Sequence, residues 1–499
     1  MDFSASSVWG FLCLIAVLLL ALLFANMLKR RIPFIKKSLI PTSVLAGIII
    51  LIISSIYTIA TKGDYLFELS FFGSPSKEAA GIVESGALSP DDISTTGLEL
   101  LEMITYHSLA LGFIATAFKP AQEKLSKKRN TEVFNSGVTT VATYLMQAIL
   151  GMSITMLAVA IFAIPGLKRY GGVLLAFGFG QGTGQALNFG SSYEQSGGFL
   201  NGSDFGLSIA SLGFICAAIG GVIYLNVVRR RREKKLKDTD LSETVTLDKV
   251  QSSDELPMES HGVDKLTLQL ALIVGSYFVA FLIIKALTAI PFLSSDNMKG
   301  TIYGFNFLIG VLVATVVCFI LRFCRKKNII KHEFINPFLM KRIAGFFFDV
   351  MIIAGMAAIR PDTLGKYWHI LLVIGVVGAV ATFFYLKLIA KKLFPEYEDE
   401  QFLATYGMLT GTASTGIILL REWDPKFKTP AADNLVYQNF PAIVFGFPLM
   451  FLAAVDTISK HPYIIFGILI VFFLVMNLIL FRSFIFKRRK KDGAGAKKK

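Results

Sequence analysis

The sequence predicts an all-α membrane protein made of two inverted repeats. Each repeat has five transmembrane helices plus a re-entrant hairpin, and one extra helix follows at the C-terminus. Three observations predict this: long apolar runs, basic residues confined to alternate connections, and two glycine-rich interruptions at matching places in the halves. Hydrophobic residues make up 54% of the 499 positions and charged residues 17%, with a mean hydropathy of +0.61. A soluble chain of this length would need more polar surface. Here the apolar residues come in runs of about 20, the length that spans a bilayer as a helix.

The formal net charge of +15 would point to nucleic acid in a soluble protein. In this chain Lys and Arg cluster in short connections between apolar runs, which is the positive-inside pattern. That argues against nucleic acid as a partner and for membrane lipid. Cys13, Cys216, Cys318 and Cys324 form no CxxC pair, so neither a zinc site nor a disulfide framework is indicated. The first positive charges follow the first apolar run, the wrong order for a cleaved signal. The N-terminus is therefore expected outside and the C-terminus in the cytoplasm of a plasma-membrane protein.

About eleven spans are expected at ~20 residues each. The first repeat, residues 1–228, holds Val8–Leu28, Leu39–Ala60, Leu100–Phe118, Gly137–Ile164 and Phe205–Val228. A glycine-rich interruption, Val173–Ser192, precedes the last of these. Residues 229–263 begin with Arg229 to Arg232 and read as a cytoplasmic, disordered linker. The second repeat, residues 264–457, holds Leu266–Ile290, Ile302–Leu321, Ile343–Ile359, Tyr367–Ala390 and Leu435–Val455, with its own interruption at Phe402–Leu420. Residues 458–499 add the span Tyr463–Phe486 and a basic tail. The charge bias fits this count only if both interruptions turn back without crossing. One repeat then begins outside and the other inside, an inverted topology.

Both interruptions carry aromatic-Gly-x-x-x-Gly-Thr: Phe177-Gly178 with Gly182-Thr183, and Tyr406-Gly407 with Gly411-Thr412. Irregular backbone at membrane depth is tolerated where it is buried in protein or lines a wet cavity. Glycine permits the turn and a close approach to a ligand. A helix starting at the turn offers free N–H groups to a carboxylate, and unwound carbonyls with Thr or Ser hydroxyls suit a small cation. The substrate-binding candidates are Gln181, Gly182, Thr183, Gly184, Gln185 and Asn188 in the first tip, and Gly411, Thr412, Ser414 and Thr415 in the second, with Arg421 beyond it. The cation candidates are Gly180, Thr183, Asp349, Thr412 and Ser414. The competing reading of the tips is that small residues only let helices pack closely.

Ile40-Pro41 through Gly47, the run Gly180-Gln181-Gly182-Thr183-Gly184 and the five-span-plus-hairpin halves resemble the sodium/glutamate symporter family. The resemblance implies sodium-coupled uptake of an acidic amino acid, a homodimer, and an elevator-like motion of a core carrying both hairpins. The chain departs from the family pattern at Gln181, where histidine is common, and at Thr412-Ala413-Ser414-Thr415, where the family has more glycine and usually Thr-Pro.

Charge within a span is costly and often functional. Asp349 can bind a coupling cation or pair with a basic residue. Arg421 can clamp a carboxylate or form an interfacial bridge with Glu422 and Asp424. His107 reads as hydrogen-bonded within the bundle, Lys285 as snorkelling, and Gln147 as a packing contact. No HExxH, GxSxG or Walker lysine is present, and the glycines lack GxGxxG spacing, so an enzyme is not expected. No cofactor is expected beyond Na+ as coupling ion. The expectation is a sodium-coupled carrier of a small carboxylate. A passive channel with re-entrant loops and a non-transporting sensor or scaffold are its rivals.

Overall fold

The computed structural model describes residues 6–33, 35, 40–72, 97–118, 126–237, 264–291, 299, 302–329, 334–424 and 428–484. Local chemistry sets many helix starts. Ser126 accepts the Arg129 N–H ahead of Lys127–Phe162, Asp264 accepts from Leu266 and Thr267 ahead of Lys265–Thr288, and Asn336 accepts from Phe338 and Leu339 ahead of Pro337–Ala357. Each side-chain oxygen satisfies N–H groups that the first turn leaves over. Pro337, Pro361 and Pro462 each open a helix where no N–H is needed.

The first half contains α1 (Ser6–Arg31), α2 (Thr42–Thr61), α3 (Gly97–Ala117), α4 (Lys127–Phe162), the short pair α5 (Leu174–Gln181) and α6 (Thr183–Gln195), and α7 (Gly202–Lys237). The second contains α8 (Lys265–Thr288), α9 (Asn306–Lys326), α10 (Pro337–Ala357), α11 (Pro361–Leu393), the short pair α12 (Glu398–Leu409) and α13 (Ala413–Trp423), α14 (Ala431–Tyr437) and α15 (Asn439–Leu452). The chain continues through α16 (Val455–Lys460) and α17 (Pro462–Leu480).

Nine helices among the described residues are long and apolar enough to cross a membrane, so the chain is an all-α membrane protein. Two of the eleven expected spans differ. Ile343–Ile359 lies largely within α10, but that helix carries Lys341, Arg342 and Asp349. Leu435–Val455 is split into α14, α15 and the start of α16, with Pro448 inside α15; proline removes one helical donor there. Helix α7 runs past the expected boundary at 228 to Lys237. The rest of the expected linker and the basic tail from residue 485 lie outside the described residues.

The helices pack in two groups. The first three helices of each half form one group: α3 packs on α10, α2 on α10, α9 on α3, α1 on α2 and α8 on α9. The remaining helices form the other around one large apolar cluster that includes Phe177, Phe205, Tyr367, Phe402 and Tyr406. Lipid tails are as apolar as leucine, so close van der Waals contact matters more here than burial from water. Small residues supply it. A Cβ on Gly151 of α4 would run into the Gly172 carbonyl, and one on Gly172 into the Gly151 carbonyl. Gly407 and Gly416 bring α12 against α13 in the same way.

Replacing Gly151 with leucine must force α4 off the Gly172 loop. The expected cost is about 1–3 kcal/mol or more, as for other overpacked cores. Thermal unfolding of the purified chain in detergent reads this as a lowered midpoint, and an unchanged midpoint would contradict the packing described.

Candidate functional site

Each glycine-rich interruption is a helical hairpin. In the first, Phe177 stacks on Phe189 with ring centroids 3.8 Å apart, and Tyr170 meets Tyr193 at 5.1 Å. Pairs that widen symmetrically about Gly182 mean that α6 runs back along α5. In the second, Gly407 abuts Gly416, and farther from the turn the Trp423 indole N–H donates to Glu400 Oε1 at 3.2 Å.

Helix α7 fixes how the hairpins face each other. Near its start, the Ser203 N–H donates to Glu194 Oε2 at 3.1 Å, at the open end of the first hairpin. Gly206 then lies against Ala186, and Ala210 against Gly178. Midway, Gly213 touches both Phe179 and the Thr410 carbonyl, one group from each hairpin. Further on, the Tyr406 hydroxyl donates to the Cys216 carbonyl at 3.0 Å, and Gly221 meets Leu419. At the basic end, Arg229 donates to the Glu422 carbonyl at 3.2 Å and lies 3.6 Å from its carboxylate. From Ser203 to Arg229 is roughly 40 Å of helix at 1.5 Å per residue. The open ends of the hairpins therefore lie at opposite ends of α7, and their tips meet near its middle. A Cβ on Gly182 would lie 3.2 Å from Thr412 Cγ2 and 3.7 Å from the Gly411 carbonyl oxygen.

A cavity of about 220 Å³ opens beside this junction, between the two helix groups. Phe113, Thr116, Phe307, Thr315, Phe348 and Met351 line one wall; Tyr144, Gly180, Gln181, Thr412, Ala413 and Asn439 line the other, with further apolar residues around them. No charged side chain is among the lining residues. The helix termini supply the local field. α6 and α13 both start at the tips and neither has a side-chain N-cap, so their positive dipole ends lie at the junction. The C-terminal ends of α5 and α12 lie there too.

Buried amide groups without partners concentrate at the first tip. Gln185 is fully buried, and neither of its amide atoms has a partner among the described residues. Gln181 Nε2 and Gln147 Oε1 are in the same state. An unpaired buried amide costs about 2–7 kcal/mol depending on the reference, so a hydrogen-bonding group bound here would recover part of that cost.

The other candidates divide. Gly180 and Gln181 line the cavity from the first tip and Thr412 from the second. Thr183 is fully buried with its hydroxyl 3.4 Å from the Met351 carbonyl, Gly184 packs on Leu109 and Met351, and Asn188 donates to the Gly304 carbonyl. These three join the hairpin to the other helix group. Gly411 is buried, and the buried Thr415 has its hydroxyl 3.4 Å from that of Thr412. The Ser414 side chain lies outside the described residues. Asp349 is half-buried and hydrogen-bonded to Ser43 of α2, away from the cavity lining. Arg421 is exposed in the last turn of α13, roughly 13 Å along the axis from Thr412. Its expected acid partners are engaged elsewhere, Glu422 by Arg229 and Asp424 by Thr429. His107 Nδ1 sits 2.8 Å from the Tyr277 hydroxyl, a contact within the bundle.

Gln147 is the residue that sequence reading placed differently. Its Nε2 donates to the Leu409 carbonyl at 2.8 Å and to Thr382 Oγ1 at 3.1 Å, tying α4 to the second tip and to α11. A lone glutamine in an apolar run gives no sign of partners so distant in the chain. Among the described residues, no group of three or more His, Cys, Asp or Glu could hold a metal ion.

Fold and site together define a membrane protein with two opposed helical hairpins around a central, uncharged cavity. The chain matches no family model and no curated protein.

Gly182 has φ 83° and ψ −170°, a region that only glycine occupies comfortably. Gly182→Ala is expected to lower stability by about 1–3 kcal/mol, whereas Gly446→Ala in α15, where an added Cβ meets nothing nearer than Val141 at 3.7 Å, is expected to lower it less. Comparing the two melting midpoints tests this; equal loss would contradict the special role of the first break.

Proposed function

We propose that the chain is a sodium-coupled secondary transporter of a small carboxylate, glutamate or a related acidic amino acid, working by alternating access. One observation carries the reading: hairpins with open ends at opposite ends of α7 touch tip to tip beside a cavity between two helix groups. The limb α5 is about 12 Å long and α12 about 18 Å, too short to cross a hydrocarbon core of about 30 Å. The hairpins accordingly enter from opposite faces and stop midway. This is the arrangement in which broken helices present N–H ends to an anionic group and carbonyls to a cation.

The pattern of packing supports inverted repeats. The contact of α2 with α10 is matched by that of α9 with α3, α1 with α2 by α8 with α9, and α4 with α15 by α11 with α7. Each half gives its first three helices to one group and its hairpin to the other. Motion of the hairpin-bearing group against its neighbour, elevator-like, would carry the cavity across the membrane. A homodimer in the plasma membrane, with the N-terminus outside and the C-terminus in the cytoplasm, completes the proposal.

In this scheme cation binding organises the tips and the loaded core then moves with its charges balanced. Proteoliposomes containing the purified chain should take up labelled glutamate saturably under an inward sodium gradient and exchange it for unlabelled substrate at equilibrium. Equal uptake under a potassium gradient would remove the sodium claim, and non-saturating flux would favour a pore. Single cysteines at the two hairpin feet should react with membrane-impermeant reagents from opposite sides.

A further inference from the structure

We propose that Gln147 supplies an oxygen ligand for an alkali cation at the meeting point of the two tips. The inference deepens the transport reading and rests on it for the purpose of the ion. Gln147 is fully buried. Its amide is oriented by two bonds from Nε2, to the Leu409 carbonyl and the Thr382 hydroxyl. That orientation turns Oε1 the other way, where it has no partner among the described residues. The oxygen lies toward the end of α5: a Cβ on Gly180 would be 3.1 Å from it. The last turn of α5 there has carbonyls that helical bonding leaves over, at the negative end of the helix dipole.

An amide oxygen, together with carbonyls that a helix end leaves over, offers neutral, hard donors, the kind that replaces the hydration shell of a small monovalent ion. Among the described residues that line the adjoining cavity there is no carboxylate or imidazole. Neutral oxygen donors of this kind suit an alkali ion. Because the same amide holds the Leu409 carbonyl, the ion would be linked to the second hairpin while touching the first.

The test measures thermal unfolding of the purified full-length chain in detergent, in sodium chloride against choline chloride at equal ionic strength, with no carboxylate present. Sodium should raise the midpoint with a saturable dependence, and Gln147→Leu should require about tenfold more sodium or lose the response, the scale of loss known for altered metal sites. Should Gln147→Leu not fold, Gln147→Glu decides. A sodium response that tightens, then fades as falling pH protonates the new carboxylate, supports the ligand; an unchanged response overturns it. Absence of any sodium-specific shift in the native chain, or an undiminished shift in Gln147→Leu, also overturns it. Sodium stabilisation without carboxylate uptake would keep the site and end the transporter reading. Uptake without sodium stabilisation would do the reverse.

Discussion

A helix that breaks inside an apolar body leaves N–H and C=O groups that water cannot reach, and each must find another partner. The rest of this structure answers that constraint at two breaks, at Gly182 and at Thr410 to Thr412. The Gly182 N–H is used by the Gly178 carbonyl and the Thr410 N–H by the Tyr406 carbonyl, which ends each leading limb cleanly. The Leu409 carbonyl is taken by Gln147. The Thr410 carbonyl lies against Gly213 of α7. Packing follows from the same need: Gly178, Gly213 and Gly220 let α7 run close enough to wall off both breaks along its length.

None of the described residues lining the cavity carries a charged side chain, and that has an energetic logic. A fixed cation strong enough to hold a carboxylate in a low-dielectric pocket would also be expensive to move empty. Helix termini act instead as partial charges of roughly half a unit, strong enough to orient an anion yet carrying no net charge when the pocket is vacant. Carbonyl ends and amide oxygens do the same for a cation. Under the proposed mechanism, anion and cation together make a loaded core whose charge stays close to that of the empty one.

Much of this was legible in the sequence because it rests on local rules. Runs of apolar residues gave most of the helices to within a few positions, and the repeated aromatic-Gly-x-x-x-Gly-Thr located both turns. Misreadings arose where neighbours in space are remote in the chain. Arg421 next to two acids suggested a local bridge, but Arg229 from α7 takes Glu422. Gln147 looked inert because its partners, Thr382 and Leu409, lie in the other half. Pro448 lies inside α15, and the expected span is divided elsewhere, at Gln438 and at Ala453 to Ala454.

The two tips are similar in motif and different in physics, and the difference bears on how the site is used. The first break depends on a backbone conformation reserved for glycine, is flanked by amides without partners, and has its trailing limb pinned through Thr183 and Asn188 to the other helix group. The second uses ordinary backbone at Thr412, φ −140° and ψ 169°, and the Leu409 carbonyl at the end of its leading limb accepts from Gln147. A rearrangement of the second tip needs no strained geometry to form or relax, whereas one at the first must preserve Gly182 and disturb contacts across the two helix groups. The first tip is thus suited to hold a ligand and to register the relative position of the groups. The second is suited to adjust around whatever the first has bound, with Gln147 as the joint between them.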